Sequence, residues 1–140
     1  MTVRRPVDFS QLEAGFEFPK TSYRVDASAA AAYLAAVDEP DGLYREDGLV
    51  PPMAIVARAM TALSEAIAFP DGAVHVSQSV RFLGLMSTED TLIGRARVDR
   101  VQRRGRLHLV SIELSADRDD GQAVLRARTD FILPQDGETE

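Results

Sequence analysis

Residues 51–69 read PPMAIVARAMTALSEAIAF, and the fold turns on how this stretch is read. Pro51 and Pro52 suit a helix entrance, where a missing N–H costs nothing and φ is already set. Phe69-Pro70-Asp71-Gly72 ends the run with turn residues and a proline that cannot continue a helix. In between, the polar residues are Arg58, Thr61, Ser64 and Glu65. At ~100° per residue they share one stripe, about a third of the circumference wide. The remainder is Met, Ile, Val, Leu and Ala. Such a helix has to be buried on most sides, and its alanines let neighbouring backbones approach closely.

Downstream of this helix the period changes to two. In Val74–Phe82 one face carries Val74, Val76, Gln78, Val80 and Phe82, and the other His75, Ser77, Ser79 and Arg81. That alternation predicts a half-buried strand. Thr91–Val101 sets Leu92, Gly94, Ala96 and Val98 against Ile93, Arg95, Arg97 and Asp99. Residues 102–106, QRRGR, read as a hairpin turn. Leu107–Ala116 follows, with Val110, Ile112, Leu114 and Ala116 on one face. A second turn at Asp117–Gly121 contains Asp-Asp-Gly, and Gln122–Leu133 is the last strand. One helix followed by consecutive hairpin-connected strands cannot make a parallel α/β sheet. The expected fold is α+β: a single hotdog domain, a long central helix wrapped by an antiparallel sheet.

Upstream, residues 1–22 read as an irregular N-terminal arm with Phe9, Leu12, Phe16 and Phe18 as anchors. Tyr23–Val25 is a short strand, and Asp26 or Ser28 caps a helix over Ala29–Val37. Residues 38–52, DEPDGLYREDGLVPP, form an acidic Pro- and Gly-containing loop directly before the central helix. Loops held on a rigid scaffold often carry function. The expected organisation is an arm over 1–22, a domain over 23–134 and a flexible tail over 135–140.

Composition narrows the function classes. A chain of 140 residues fits one domain with a real core, and 45% hydrophobic with 27% charged residues is ordinary for a globular protein. No apolar run approaches the ~20 residues that span a bilayer, and the N-terminus has no apolar signal-like run. There are no cysteines, which excludes disulfides, thiolate metal sites and a Cys nucleophile. The formal net charge of −6 argues against a general nucleic-acid binder. With two histidines and no Cys, no metal site is expected. A cytoplasmic location is the default expectation.

Several blocks resemble the MaoC-like hotdog family of (R)-specific enoyl-thioester hydratases and 3-hydroxyacyl-thioester dehydratases. Ser77-Gln78-Ser79-Val80-Arg81-Phe82 looks like that family's strand after the central helix. Glu89-Asp90-Thr91-Leu92 resembles its Gly-Asp-Thr-Leu start of the next strand. Asp38-Glu39-Pro40-Asp41-Gly42-Leu43-Tyr44 resembles its Gly-Asp-x-Asn-Pro-Leu-His loop, and Val50-Pro51-Pro52 the variant in N-terminal, often non-catalytic, hotdog halves. The match spans roughly residues 23–133.

The resemblance implies a substrate and a site. The substrate is an acyl thioester of coenzyme A or of an acyl carrier protein. Coenzyme A or phosphopantetheine enters only as part of it, and no separate cofactor is implied. In the family a carboxylate and a histidine hold and activate the water added across the enoyl double bond. A backbone N–H at the central helix N-terminus stabilises charge on the thioester oxygen. Carried over by position, Glu39 stands for the Asp, Tyr44 for the His and Met53 for the oxyanion-hole Gly, with Asp41 and Leu43 beside them as substrate-contacting residues. A phenol ordinarily ionises near pH ~10 and is a poor base at neutrality, although it donates hydrogen bonds. The pair is therefore read as degenerate. The alternatives are a non-catalytic acyl-binding or assembly subunit partnering an active hotdog chain, and a thioesterase using Glu65.

Other residues have blander readings. His75, on the polar strand face beside Ser77, is an alternative acid/base or an interface residue. His108, sharing a face with Val110 and Ile112, is a core or rim histidine. Arg103, Arg104 and Arg106 cluster in one hairpin turn as a solvated tip or a phosphate contact. Asp41, Glu46 and Asp47 lack His or Cys neighbours for a metal. A lone hotdog leaves an edge strand open, so a homodimer or a hetero-oligomer with another hotdog chain is expected.

Overall fold

A computed structural model describes residues 6–39 and 42–135. The elements in order are β1 (Val7–Asp8), a 3-10 turn (Phe9–Gln11), β2 (Thr21–Tyr23), α1 (Ala27–Ala36), α2 (Gly42–Asp47), α3 (Pro52–Ala66), β3 (Ile67–Ala68), β4 (Val74–Phe82), β5 (Leu92–Arg104), β6 (Leu107–Arg118) and β7 (Ala123–Pro134). Five strands form one antiparallel sheet in the order β2-β5-β6-β7-β4. β1 and β3 make a separate parallel pair of two residues each. The α+β hotdog expectation is met.

One face of the sheet packs on α3 because each strand alternates. Leu92 and Val98 on β5, Ile112 and Ala116 on β6, and Leu125 and Phe131 on β7 are buried. The first half of α3, through Ala54, Ile55, Val56 and Ala59, packs with Tyr23, Val25, Leu92 and Leu125. Its second half, through Leu63, packs with Val98, Val110, Ile112 and Phe131. Met60 and Ala127 touch both clusters and join them. The hairpin turns sit at Gly105 (φ 59°) and Gly121 (φ 95°), a backbone region that favours glycine.

The structure refines the sequence reading in several places. α3 starts at Pro52, with Pro51 as its N-cap, and Ile67 already has strand geometry. The N-terminal arm is more regular than expected. Phe9, Leu12 and Phe18 are buried, and Phe16 and Phe18 exchange backbone hydrogen bonds with Val98 and Ala96 of β5. The first strand after the arm is Thr21–Tyr23 rather than Tyr23–Val25. The 38–52 loop contains a helix, α2, whose six residues are too few to show a period. α1 begins two residues early, with the Asp26 side chain accepting a hydrogen bond from the Ala29 N–H at 2.8 Å.

His75 needs a correction. It was expected on the polar face beside Ser77, but the ladder shifts register between them: His75 pairs with Phe131 and Ser77 with Asp130. The extra residue, Val76, is a bulge that reverses the alternation. His75 therefore turns to the helix side, its ring 5.1 Å from Phe131 and its Nε2 2.7 Å from the Thr129 hydroxyl.

Candidate functional site

The segment that carries the family-like loop is held by backbone hydrogen bonds on both sides. α1 closes with the N–H of Asp38 donating to the Ala35 carbonyl at 3.2 Å and that of Glu39 donating to the Leu34 carbonyl at 2.9 Å. This pair of bonds is a Schellman motif, with Asp38 at the left-handed position (φ 57°) where glycine is usual. It fixes where the Glu39 backbone leaves α1. Past α2, the Leu49 N–H donates to the Tyr44 carbonyl at 3.0 Å. Thr88 N–H then donates to the Gly48 carbonyl at 2.8 Å, and Val50 N–H to the Met86 carbonyl at 2.9 Å. Arg24 Nη2 ties the Thr88 carbonyl from below at 3.2 Å.

These contacts leave a cavity of about 310 Å³ between α1 and α2. Its walls are Ala27, Ala30, Ala31 and Leu34 of α1, with Leu49. Tyr44, half-buried, lines it together with Ser28 and Thr88, which gives an apolar wall with three hydroxyl-bearing residues. Such a mixture suits an acyl chain ending in a polar group.

Of the expected site residues whose side chains are described, Tyr44 lines this cavity and the others do not. Glu39 is exposed and is not part of its wall. Asp41 lies outside the described residues, and Leu43 falls within α2. Met53 is the second residue of α3 and is 48% exposed. Among the described residues no side chain caps the α3 N-terminus. Pro52 has no N–H and the Ala54 N–H donates to the Pro51 carbonyl at 2.9 Å, which leaves the Met53 N–H to other partners. Glu65 is exposed on α3 and lines none of the cavities described. Among the described residues no cluster of His, Asp and Glu could hold a metal ion. No described helix is long and apolar enough to cross a membrane.

Sequence reasoning missed α1 as the cavity wall. The signal available was its run of small residues, ASAAAAYLAA, which leaves room beside the helix. It also read Arg58 only as one of four residues on the polar stripe of α3. The guanidinium instead lies 4.7 Å from the Tyr23 ring centroid, with Nη1 buried and without a hydrogen-bond partner among the described residues. Burial raises the Tyr23 pKa, and Arg58 offsets part of that rise.

No family model matches the sequence, and no curated protein matches it. Solved structures do match. A monoamine oxidase regulatory protein from Archaeoglobus fulgius superposes with a TM-score of 0.76 at 15% identity, covering 98% of this chain and 100% of that one. The chain carries the hotdog fold. The MaoC-like dehydratase from Rhodospirillum rubrum gives 0.74 at 15% identity, over 92% of this chain and 97% of its own. The unliganded R-hydratase PhaJ1 of Pseudomonas aeruginosa gives 0.74 at 14% identity, over 91% and 85%. At these identities the likeness is one of fold.

Proposed function

We propose that this MaoC-like hotdog chain binds an acyl thioester, of coenzyme A or of an acyl carrier protein, and belongs to the enoyl-thioester hydratase/dehydratase class with a degenerate dyad. The observation that carries the reading is the Tyr44 cavity, set in a fold shared with an R-hydratase and a dehydratase. Its alanine wall suits an acyl chain. The Tyr44 hydroxyl is a hydrogen-bond donor for the thioester or a water. The N-terminus of α3 offers the Met53 main-chain N–H to an enolate oxygen. Asp41 and Leu43 shortly precede Tyr44 in sequence and complete the substrate contacts in this reading.

Hydration forms a C–O bond at the β-carbon and a C–H bond at the α-carbon, so it needs a base for the water and an acid for the α-carbon. Glu39 stands where the base belongs, yet it is exposed outside the cavity, and Tyr44 replaces the imidazole. Both features support slow or absent hydration. The test follows the absorbance of crotonyl-CoA with wild type and with the double variant Glu39→Asp, Tyr44→His. The double variant should be faster, because an imidazole titrating near pH ~6.5 is a better acid/base at neutrality. Rapid wild-type turnover that survives Tyr44→Phe would contradict the degenerate dyad.

A second reading, a non-catalytic subunit completed by another hotdog chain, is favoured by the apolar side chains along the outer edge of the sheet. Val74 and Val76 of β4, and Leu83 and Leu85 just beyond it, are exposed.

A further inference from the structure

The side of the sheet turned away from α3 holds arginines in fixed register. Arg95 of β5, Ser115 of β6, Arg126 of β7 and Arg81 of β4 are successive partners across four strands. The next row is Arg97, Glu113, Arg128 and Ser79. Partners across a ladder share a face. Five arginines therefore stand together on one face of a chain whose formal net charge is −6.

Three acids on this face are already engaged. Glu113 pairs with Arg97 at 3.0 Å, and Asp99 with Arg128 at 2.7 Å. Asp117 is shared by Arg126 at 2.8 Å and Arg95 at 3.5 Å. Arg81 makes no ion pair among the described residues, and its direct partner across the ladder is Arg126. Like charges directly opposite one another on adjacent strands are destabilising, so folding alone gains nothing from this pairing. Over the two rows lies an open groove of about 780 Å³, to which Lys20 adds a further cation and Ser79 and Ser115 add hydroxyls. Glu17 also lines the groove and makes no ion pair among the described residues. Its volume falls in the ~300–1,000 Å³ range of small-molecule sites.

We propose that this groove binds a small organic polyphosphate of nucleotide size. Arg81 and Arg126 clamp one phosphate, and Arg95 and Arg97 meet a second. Guanidinium forks match phosphate oxygens bidentately. A dianion between Arg81 and Arg126 converts their repulsion into a chelate. Among the described residues the groove shares no lining residue with the Tyr44 cavity. The proposal is therefore independent of the thioester reading.

The test is calorimetric titration of the full chain with ADP and with pyrophosphate. One site per chain is expected, with ADP binding at least as tightly as pyrophosphate and both weakening as salt rises. Arg81→Gln should weaken binding about tenfold or more, in keeping with the loss of charged hydrogen bonds. Without ligand the same variant should melt no lower than wild type, because a like-charge pair is gone. Arg103→Gln with Arg104→Gln, on the hairpin outside the groove, should leave affinity within about twofold, since these side chains make no contact with the ligand. Absence of binding by both probes, unchanged affinity in Arg81→Gln, or an equal loss in the hairpin variant would overturn the proposal.

Discussion

His108 shows how one side chain ties pH to stability. It was expected to share a face with Val110 and Ile112, and it does: it is 5% exposed, with its ring 5.3 Å from that of Phe9. Burial first, and the Arg103 charge second, lower its pKa from the usual 6.5. The folded state thus releases the proton that the unfolded state still binds just below pH ~6.5. Stability is fully present above that value and falls as the pH drops through it. Urea midpoints should decrease between neutral pH and about pH 5, and His108→Gln should flatten that decrease. An unchanged slope in the variant would show that His108 does not carry the effect. His75 illustrates the opposite case. Its side could not be read from the alternation, because one inserted residue at Val76 reverses every side chain before it.

At the scale of elements, α3 is the part on which the packing rests. Leu63 is 3% exposed among Val98, Val110, Ile112 and Phe131. Leu63→Ala should destabilise by about 2–5 kcal/mol, the usual loss for a buried leucine, measured by denaturant titration. A change under about half a kcal/mol would mean that the helix is not central to the core. This helix and the four long strands were legible because 15 and 9–13 residues give a period room to show. α2 and the β1–β3 pair were not, since six and two residues carry no period. The site followed the same division. Tyr44 was legible from the loop resemblance, whereas the α1 wall was not, because alanines name no partner.

At the scale of the whole molecule, one edge of the sheet has no partner strand among the described residues. β4 is the edge beyond β7, and Val76 is 53% and Leu85 68% exposed there. An unpaired edge flanked by apolar side chains is an association surface. Light scattering should find a dimer or larger even assembly of the chain, or a complex with a second hotdog chain. Val76→Lys should weaken it by placing like charges at the seam. A wild-type monomer at micromolar concentration, with and without a partner chain, would contradict this surface role. The central claim, that the fold serves to hold an acyl thioester beside Tyr44, has a more direct test. Calorimetric titration of the assembled protein with a short acyl-CoA should show saturable binding that Tyr44→Ala weakens about tenfold, as for loss of one buried hydrogen bond with its packing. Binding that is absent with every acyl-CoA and acyl carrier protein thioester, or indifferent to Tyr44→Ala, would contradict it.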